Sequence, residues 1–80
     1  MEVGDIVVSL AGHDAGKPFV VTAVVNSDFV LIADGKSRGA DTPKLKRIKH
    51  LRVAGQSGLT DPTNAALKKR IKQFIISDGR

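Results

Sequence analysis

Phe19-Val20-Val21-Thr22-Ala23-Val24-Val25-Asn26-Ser27-Asp28-Phe29-Val30-Leu31-Ile32-Ala33 is a pair of apolar runs on either side of a short polar cluster. Its β-branched and aromatic side chains fit a pleated surface better than a helix. Asn26-Ser27-Asp28 is a turn-forming cluster short enough to join the runs as an antiparallel hairpin. Neither run alternates apolar with polar residues, so both faces of the hairpin need cover. A flat sheet with one wet face does not fit, whereas a small curled barrel or a sheet covered by a helix does.

Working outward, Ile6 to Ala11 is a further extended run, with Ile6, Val8 and Leu10 sharing one face by the two-residue period. Asp34-Gly35 closes the hairpin's second strand with a turn signal, and residues 35–46, polar and broken by Pro43, read as a loop. Arg47 to Val53 reads as a returning strand, although Ile48 and Leu51 are three apart, a spacing that suits a bulge or one tight turn. Asp61-Pro62 is an N-cap acceptor followed by a first-turn proline. After it, Leu67, Ile71, Phe74 and Ile75 follow the i, i+4, i+7, i+8 spacing of one helix face, with Lys68, Lys69, Lys72 and Gln73 turned away. The spacing predicts a helix over residues 62–76, with Asp78-Gly79 as its stop. One domain over 1–80 is expected: a β unit over 2–53, a connector over 54–61 and the helix packed on the β unit.

Composition narrows the function. The chain has 80 residues, 13 Lys and Arg against 8 Asp and Glu, and no Cys, which removes disulfides, thiolate nucleophiles and Cys-based zinc sites together. No apolar run approaches the ~18 residues that span a bilayer, and the acidic start differs from a signal peptide, so a cytoplasmic protein without a membrane partner is expected. Residues 1–33 hold one base (Lys17) against four acids, net −3, whereas residues 34–52 hold seven bases against two acids, net +5. Seven bases within nineteen residues mark a polyanion site more than a solvated surface.

Catalytic patterns are missing. No serine lies in a nucleophile-elbow context, and the two histidines, His13 and His50, lack the i, i+4 pairing of a metal site. Gly12-His13-Asp14-Ala15-Gly16-Lys17 has three residues between its glycines where a phosphate-binding loop has four, and Pro18 takes the Ser/Thr position. No enzyme, cofactor or metal is expected.

Val3-Gly4-Asp5-Ile6-Val7-Val8-Ser9-Leu10-Ala11-Gly12-His13-Asp14-Ala15-Gly16-Lys17 resembles the KOW motif: Gly-Asp before a hydrophobic strand, a key glycine, then a short Gly/Lys loop into a second strand. Gly12 matches the key glycine and is expected to take a backbone conformation that a Cβ disfavours, and to admit another backbone closely. With Val30 to Gly35 and Ile48-Lys49-His50-Leu51, the chain is similar to short bacterial KOW-domain proteins related to large-subunit ribosomal proteins of archaeal and eukaryotic type. The resemblance implies a mostly β fold, an SH3-like barrel of about five short antiparallel strands, that binds structured RNA, ribosomal RNA foremost, with ribosomal proteins as further partners.

Single-strand recognition stacks bases on exposed aromatics. Phe19, Phe29 and Phe74, the only aromatics, sit in apolar runs and are expected in the core. Backbone-dominated binding to folded RNA follows, through Lys36, Arg38, Lys44, Lys46, Arg47, Lys49 and Arg52, with Gly12, His13 and Lys17 from the motif loop. His50 reads as structural, and the helix bases Lys68, Lys69, Arg70 and Lys72 as an outer face or a second patch. A protein-interaction SH3-like module is the alternative, disfavoured because peptide grooves use surface aromatics. The free protein is expected to be a monomer.

Overall fold

The computed structural model describes residues 1–59 and 63–79, with side chains to residue 76. Its strands are β1 (Asp5–Ser9), β2 (Pro18–Val24), β3 (Phe29–Ala33), β4 (Lys44–Arg47) and β5 (Leu51–Gln56); a 3-10 turn covers Ile48–His50 and helix α1 covers Asn64–Gly79. The strands form one antiparallel sheet in the order β4-β3-β2-β1-β5. The fold is therefore mostly β, with five antiparallel strands and a C-terminal helix, the class expected.

Both ways of covering a two-faced apolar hairpin operate together. Val7, Phe19, Val21, Val30, Ile32 and Leu51 form one buried cluster enclosed by the curl of the sheet, with Met1 and Ile48 packed against it. Ile6, Val20 and Ala33 point the other way and are buried against Leu67 and Ile71 of α1, with Phe74 beside them. Neighbours along a strand thus feed different clusters, as the two-residue period requires. Two register shifts help the sheet curl, one where β1 meets β5 between Ile6 and Val7, the other where β2 meets β3 between Val21 and Ala23. At the second, the Thr22 hydroxyl donates to the Leu31 carbonyl oxygen (3.3 Å).

Several boundaries differ from the sequence reading. β1 ends at Ser9, which is buried, and Leu10 is 54% exposed, so Leu10 does not share the face of Ile6. Lys44–Arg47 is an edge strand whose first three residues fall in the expected loop and whose last, Arg47, was expected to open the returning strand; its one apolar residue, Leu45, is exposed, so no hydrophobic pattern announces it. The returning strand starts at Leu51, after the tight turn that the Ile48/Leu51 spacing suggested, and runs to Gln56, taking residues 54–56 from the expected connector. The expected Asp61-Pro62 cap lies outside the described residues; Thr63 Oγ1 accepts from the Ala66 N–H (3.2 Å) just before the helix. The helix continues past residue 76 to Gly79, through the Asp78-Gly79 stop. Ile75 is 50% exposed, so the packed face is Leu67, Ile71 and Phe74.

Ser57 ties the end of β5 to the start of β1. Its buried hydroxyl donates to the Gly4 carbonyl oxygen (2.6 Å) and accepts from the Leu59 N–H (3.1 Å). Ser57→Ala removes both bonds and strands the Leu59 N–H, with an expected loss of about 1–2 kcal/mol in urea unfolding.

Candidate nucleic-acid interface

The motif begins with a structural pair. The Asp5 carboxylate accepts from the Glu2 N–H (2.8 Å), and the Asp5 N–H donates to the Glu2 carbonyl oxygen (3.1 Å), folding the N-terminus against β1. After β1 the chain makes a compact loop: Gly16 N–H donates to Ser9 (2.7 Å), Ala15 N–H to Gly12 (3.2 Å) and Lys17 N–H to Asp14 (2.9 Å), each through the carbonyl oxygen. Gly12 has φ +79°, as a key glycine should. The closest non-local atom to a Cβ placed there is Lys46 Nζ, at 3.9 Å, so the glycine serves its dihedral and admits no second backbone, correcting that expectation.

β4 clasps this loop. Lys44 and Lys46 stand opposite Ile32 and Val30, on the side of the sheet that faces the enclosed cluster, and both side chains reach the motif loop. Lys44 Nζ pairs with Asp14 Oδ2 (2.5 Å), and Lys46 Nζ donates to the Ala11 carbonyl oxygen (3.3 Å). The Leu10 N–H donates to the His50 carbonyl oxygen (2.8 Å), joining the 3-10 turn to the same loop. The hydrogen bond from Lys44 holds the Asp14 carboxyl below its ordinary range; burial pushes the other way, and the charges of Lys44, Lys17 and Lys46 add to the lowering. The result is a cationic rim that exposes Gly12 and His13, with Lys46 half-buried beside Gly12, while Lys49 is exposed next to Arg47 and the Ser27-Asp28 turn.

The other candidates lie elsewhere. Arg47 alternates to the opposite face of β4, its guanidinium carbon 4.9 Å from the centroid of its cross-strand partner Phe29. Phe29 is half-buried under that cation instead of lying in the core; Phe74 is half-buried beside the helix-side cluster, and only Phe19 is fully enclosed. Arg52 is exposed opposite Val8 on β1. His50 is half-buried and acts through its carbonyl, in keeping with a structural reading. Lys36 and Arg38 are exposed on a turn built by Asp34, whose carboxylate accepts from Lys36 N–H (2.9 Å), Ser37 Oγ (2.7 Å) and Arg38 N–H (2.8 Å). Lys17 and Lys36 line a groove with Lys68 and Lys72 of α1, an association the sequence did not signal because it spans three separate segments. The basic block that is continuous in sequence is thus divided among the rim, the outer face of β4 and the helix groove.

Burial pushes the Asp34 carboxyl up, but its three hydrogen bonds outweigh that and leave it below the ordinary carboxylate range. A depressed folded value stabilises above the unfolded value and is lost as pH falls through the folded one. Asp34→Ala is therefore expected to lower the melting temperature at pH 7, while the variant and parent curves converge towards pH 2 in thermal unfolding followed by circular dichroism.

Among the described residues, no cluster of three or more His, Cys, Asp or Glu could hold a metal ion, and no helix is long and apolar enough to cross a membrane. No protein-family model matches the chain. It is 33% identical over 79 residues to the large ribosomal subunit protein eL14 of Staphylothermus marinus, covering 99% of this chain and 80% of that one. It is 28% identical over 79 residues to the protein of the same name from Sulfolobus acidocaldarius, with the same coverage. With that of Desulfurococcus amylolyticus it shares 32% over 57 residues, 71% of this chain and 59% of the relative.

Proposed function

The chain belongs to the family of the large ribosomal subunit protein eL14, and from that premise we propose that it is a non-catalytic RNA-binding component of the large ribosomal subunit in the cytoplasm. Its ligand is structured ribosomal RNA, gripped by the phosphate backbone, with ribosomal proteins as neighbours. The observation that carries this reading is the rim: the bonds from Lys44 and Lys46 hold β4 against the KOW-like loop and leave Gly12 and His13 exposed beside the Lys46 ammonium. Gly12 leaves room for a phosphate oxygen beside the Lys46 ammonium, which keeps two N–H donors after its bond to Ala11. His13 adds an exposed donor from the loop, and Lys49 and Arg47 offer an ammonium and a guanidinium fork beside the Ser27-Asp28 turn. Lys17, Lys36, Arg38 and Arg52 extend the positive field around the rim. No exposed aromatic platform accompanies these groups among the described residues, which favours backbone contact with folded RNA over base stacking.

The test is a salt titration of binding to an A-form RNA duplex by fluorescence anisotropy. Phosphate contacts make log affinity fall linearly with log salt. Affinity that is absent at low salt, or indifferent to salt, would refute the reading.

A further inference from the structure

The second cationic surface has a different chemistry from the rim. Between α1, the start of β2 and the Asp34 turn lies a groove of about 560 Å³. Lys17, Lys36, Lys68 and Lys72 stand around it, and Ile71, Ile75 and Ile76 supply its apolar lining together with Pro18. Ile75 is 50% and Ile76 64% exposed, so the helix presents two large aliphatic side chains to water between ammonium groups. Among the described residues, the one acid in the groove is Asp34, which already serves three donors of its own turn. Lys68 and Lys72 form an i, i+4 pair of like charge, an arrangement that weakens an isolated helix.

We propose that this groove is a protein-docking site whose occupant is an acidic amphipathic segment of a partner protein, with aliphatic side chains against Ile71, Ile75 and Ile76 and carboxylates against the four lysines. Charge complementarity makes the occupant anionic, and the aliphatic lining makes it apolar on the inward side. A helix that lays an apolar face in such a groove, edged by opposite charges, meets both demands. RNA meets only the first. Among the described residues the groove has no aromatic ring on which a base would stack, and a phosphate backbone across it would leave the exposed Ile75 and Ile76 wet. The site shares Lys17 and Lys36 with the positive field around the rim, and differs from the RNA reading in its helix face, its aliphatic lining and its ligand.

Nuclear magnetic resonance of the full chain tests it with three probes: an 18-residue acidic peptide of Leu, Ala and Glu with leucines at i, i+3, i+4 and i+7; an A-form RNA duplex; and anionic phosphatidylglycerol vesicles. The amphipathic peptide is expected to shift the amides of Lys17, Lys36 and residues 68–76 saturably, and to bind about tenfold tighter than a scrambled peptide of the same composition. Ile75→Ser/Ile76→Ser and Lys68→Gln/Lys72→Gln should each weaken the peptide about fivefold or more, while changing duplex affinity less than about threefold. These residues are exposed, and circular dichroism verifies that both variants remain folded. Equal binding of the scrambled peptide, no saturable shift in the groove, or the amides of residues 68–76 shifting with duplex or vesicles would overturn the proposal. If duplex binding fails while the peptide binds as described, the RNA reading falls and the groove assignment stands.

Discussion

Replacing Gly35 with alanine is expected to destabilise the protein by about 3 kcal/mol or more, the largest loss from any single methyl group added to this chain. Gly35 has φ +79°, and a Cβ built there lies 2.3 Å from the Asn64 carbonyl oxygen and 3.0 Å from the Leu67 Cβ. The first cost is the left-handed dihedral itself, about 1–2 kcal/mol. The second is the clash, which falls on the first turn of α1, where the backbone has little freedom to retreat. Leu67 is fully buried with Ile6, Val20 and Ala33, and Asn64 Oδ1 accepts from the Ala40 N–H (2.7 Å). Moving the helix start away would therefore open the helix-side cluster and break that link together. A fall in melting temperature of about 12–24 °C is expected. Gly12→Ala is the control, since its φ is also positive but only the flexible end of Lys46 is near, and it should lose about 1 kcal/mol. If the two variants lose the same amount, the helix start yields freely and the Gly35 contact carries no weight.

Lys46→Ala/Arg47→Ala/Lys49→Ala is expected to lower affinity for an RNA duplex about 100-fold at low salt, and to reduce the slope of log affinity against log salt by about 2 to 3. Each phosphate contact contributes ~0.7–0.9 to that slope, so the slope counts contacts where affinity alone does not. Lys44 is left intact because it holds Asp14, and its removal would leave that carboxylate as a bare negative charge on the binding edge. Arg47→Ala also uncovers Phe29, so thermal unfolding of the variant must accompany the titration. An unchanged slope would mean that the RNA lies elsewhere. Lys36→Ala/Arg38→Ala should lower the affinity by a smaller factor, since those bases lie on the Asp34 turn away from the clasp.

The hairpin of β2 and β3 was legible because Phe19 to Ala33 is β-branched and aromatic throughout and its polar break is short. The helix was legible because Leu67, Ile71 and Phe74 recur at its period. Ile75 obeyed the same period and is nevertheless exposed, because periodicity reports a face and not the extent of sheet beneath it. β4 was missed for the opposite reason. An edge strand held by backbone bonds to β3 and by lysines reaching the motif loop carries no apolar signature. Among the candidate binding residues, sequence located the charge but not its division. Lys44 and Asp14 are 30 positions apart, and nothing local selects that carboxylate over another. Gly35 read as a turn glycine, which it is; its contact with α1 needed the helix to be placed first.

The position of β1 has a kinetic consequence. β2, β3 and β4 pair with their sequence neighbours, so that meander needs only short loops to close. β1 pairs on one side with β2, but its other edge waits for β5, where Asp5 meets Gln56 roughly fifty residues later. Loop closure over that distance is slow relative to hairpin formation, which places the β1–β5 zipper late on the route to the native state. During synthesis, the amides and carbonyls on that edge of β1 stay unpaired until residue 56 has emerged. A nascent chain stalled before residue 51 would display an open strand edge beside Val7, whose burial depends on the closed sheet. On such a truncated chain that edge is open to pairing with a strand of another molecule.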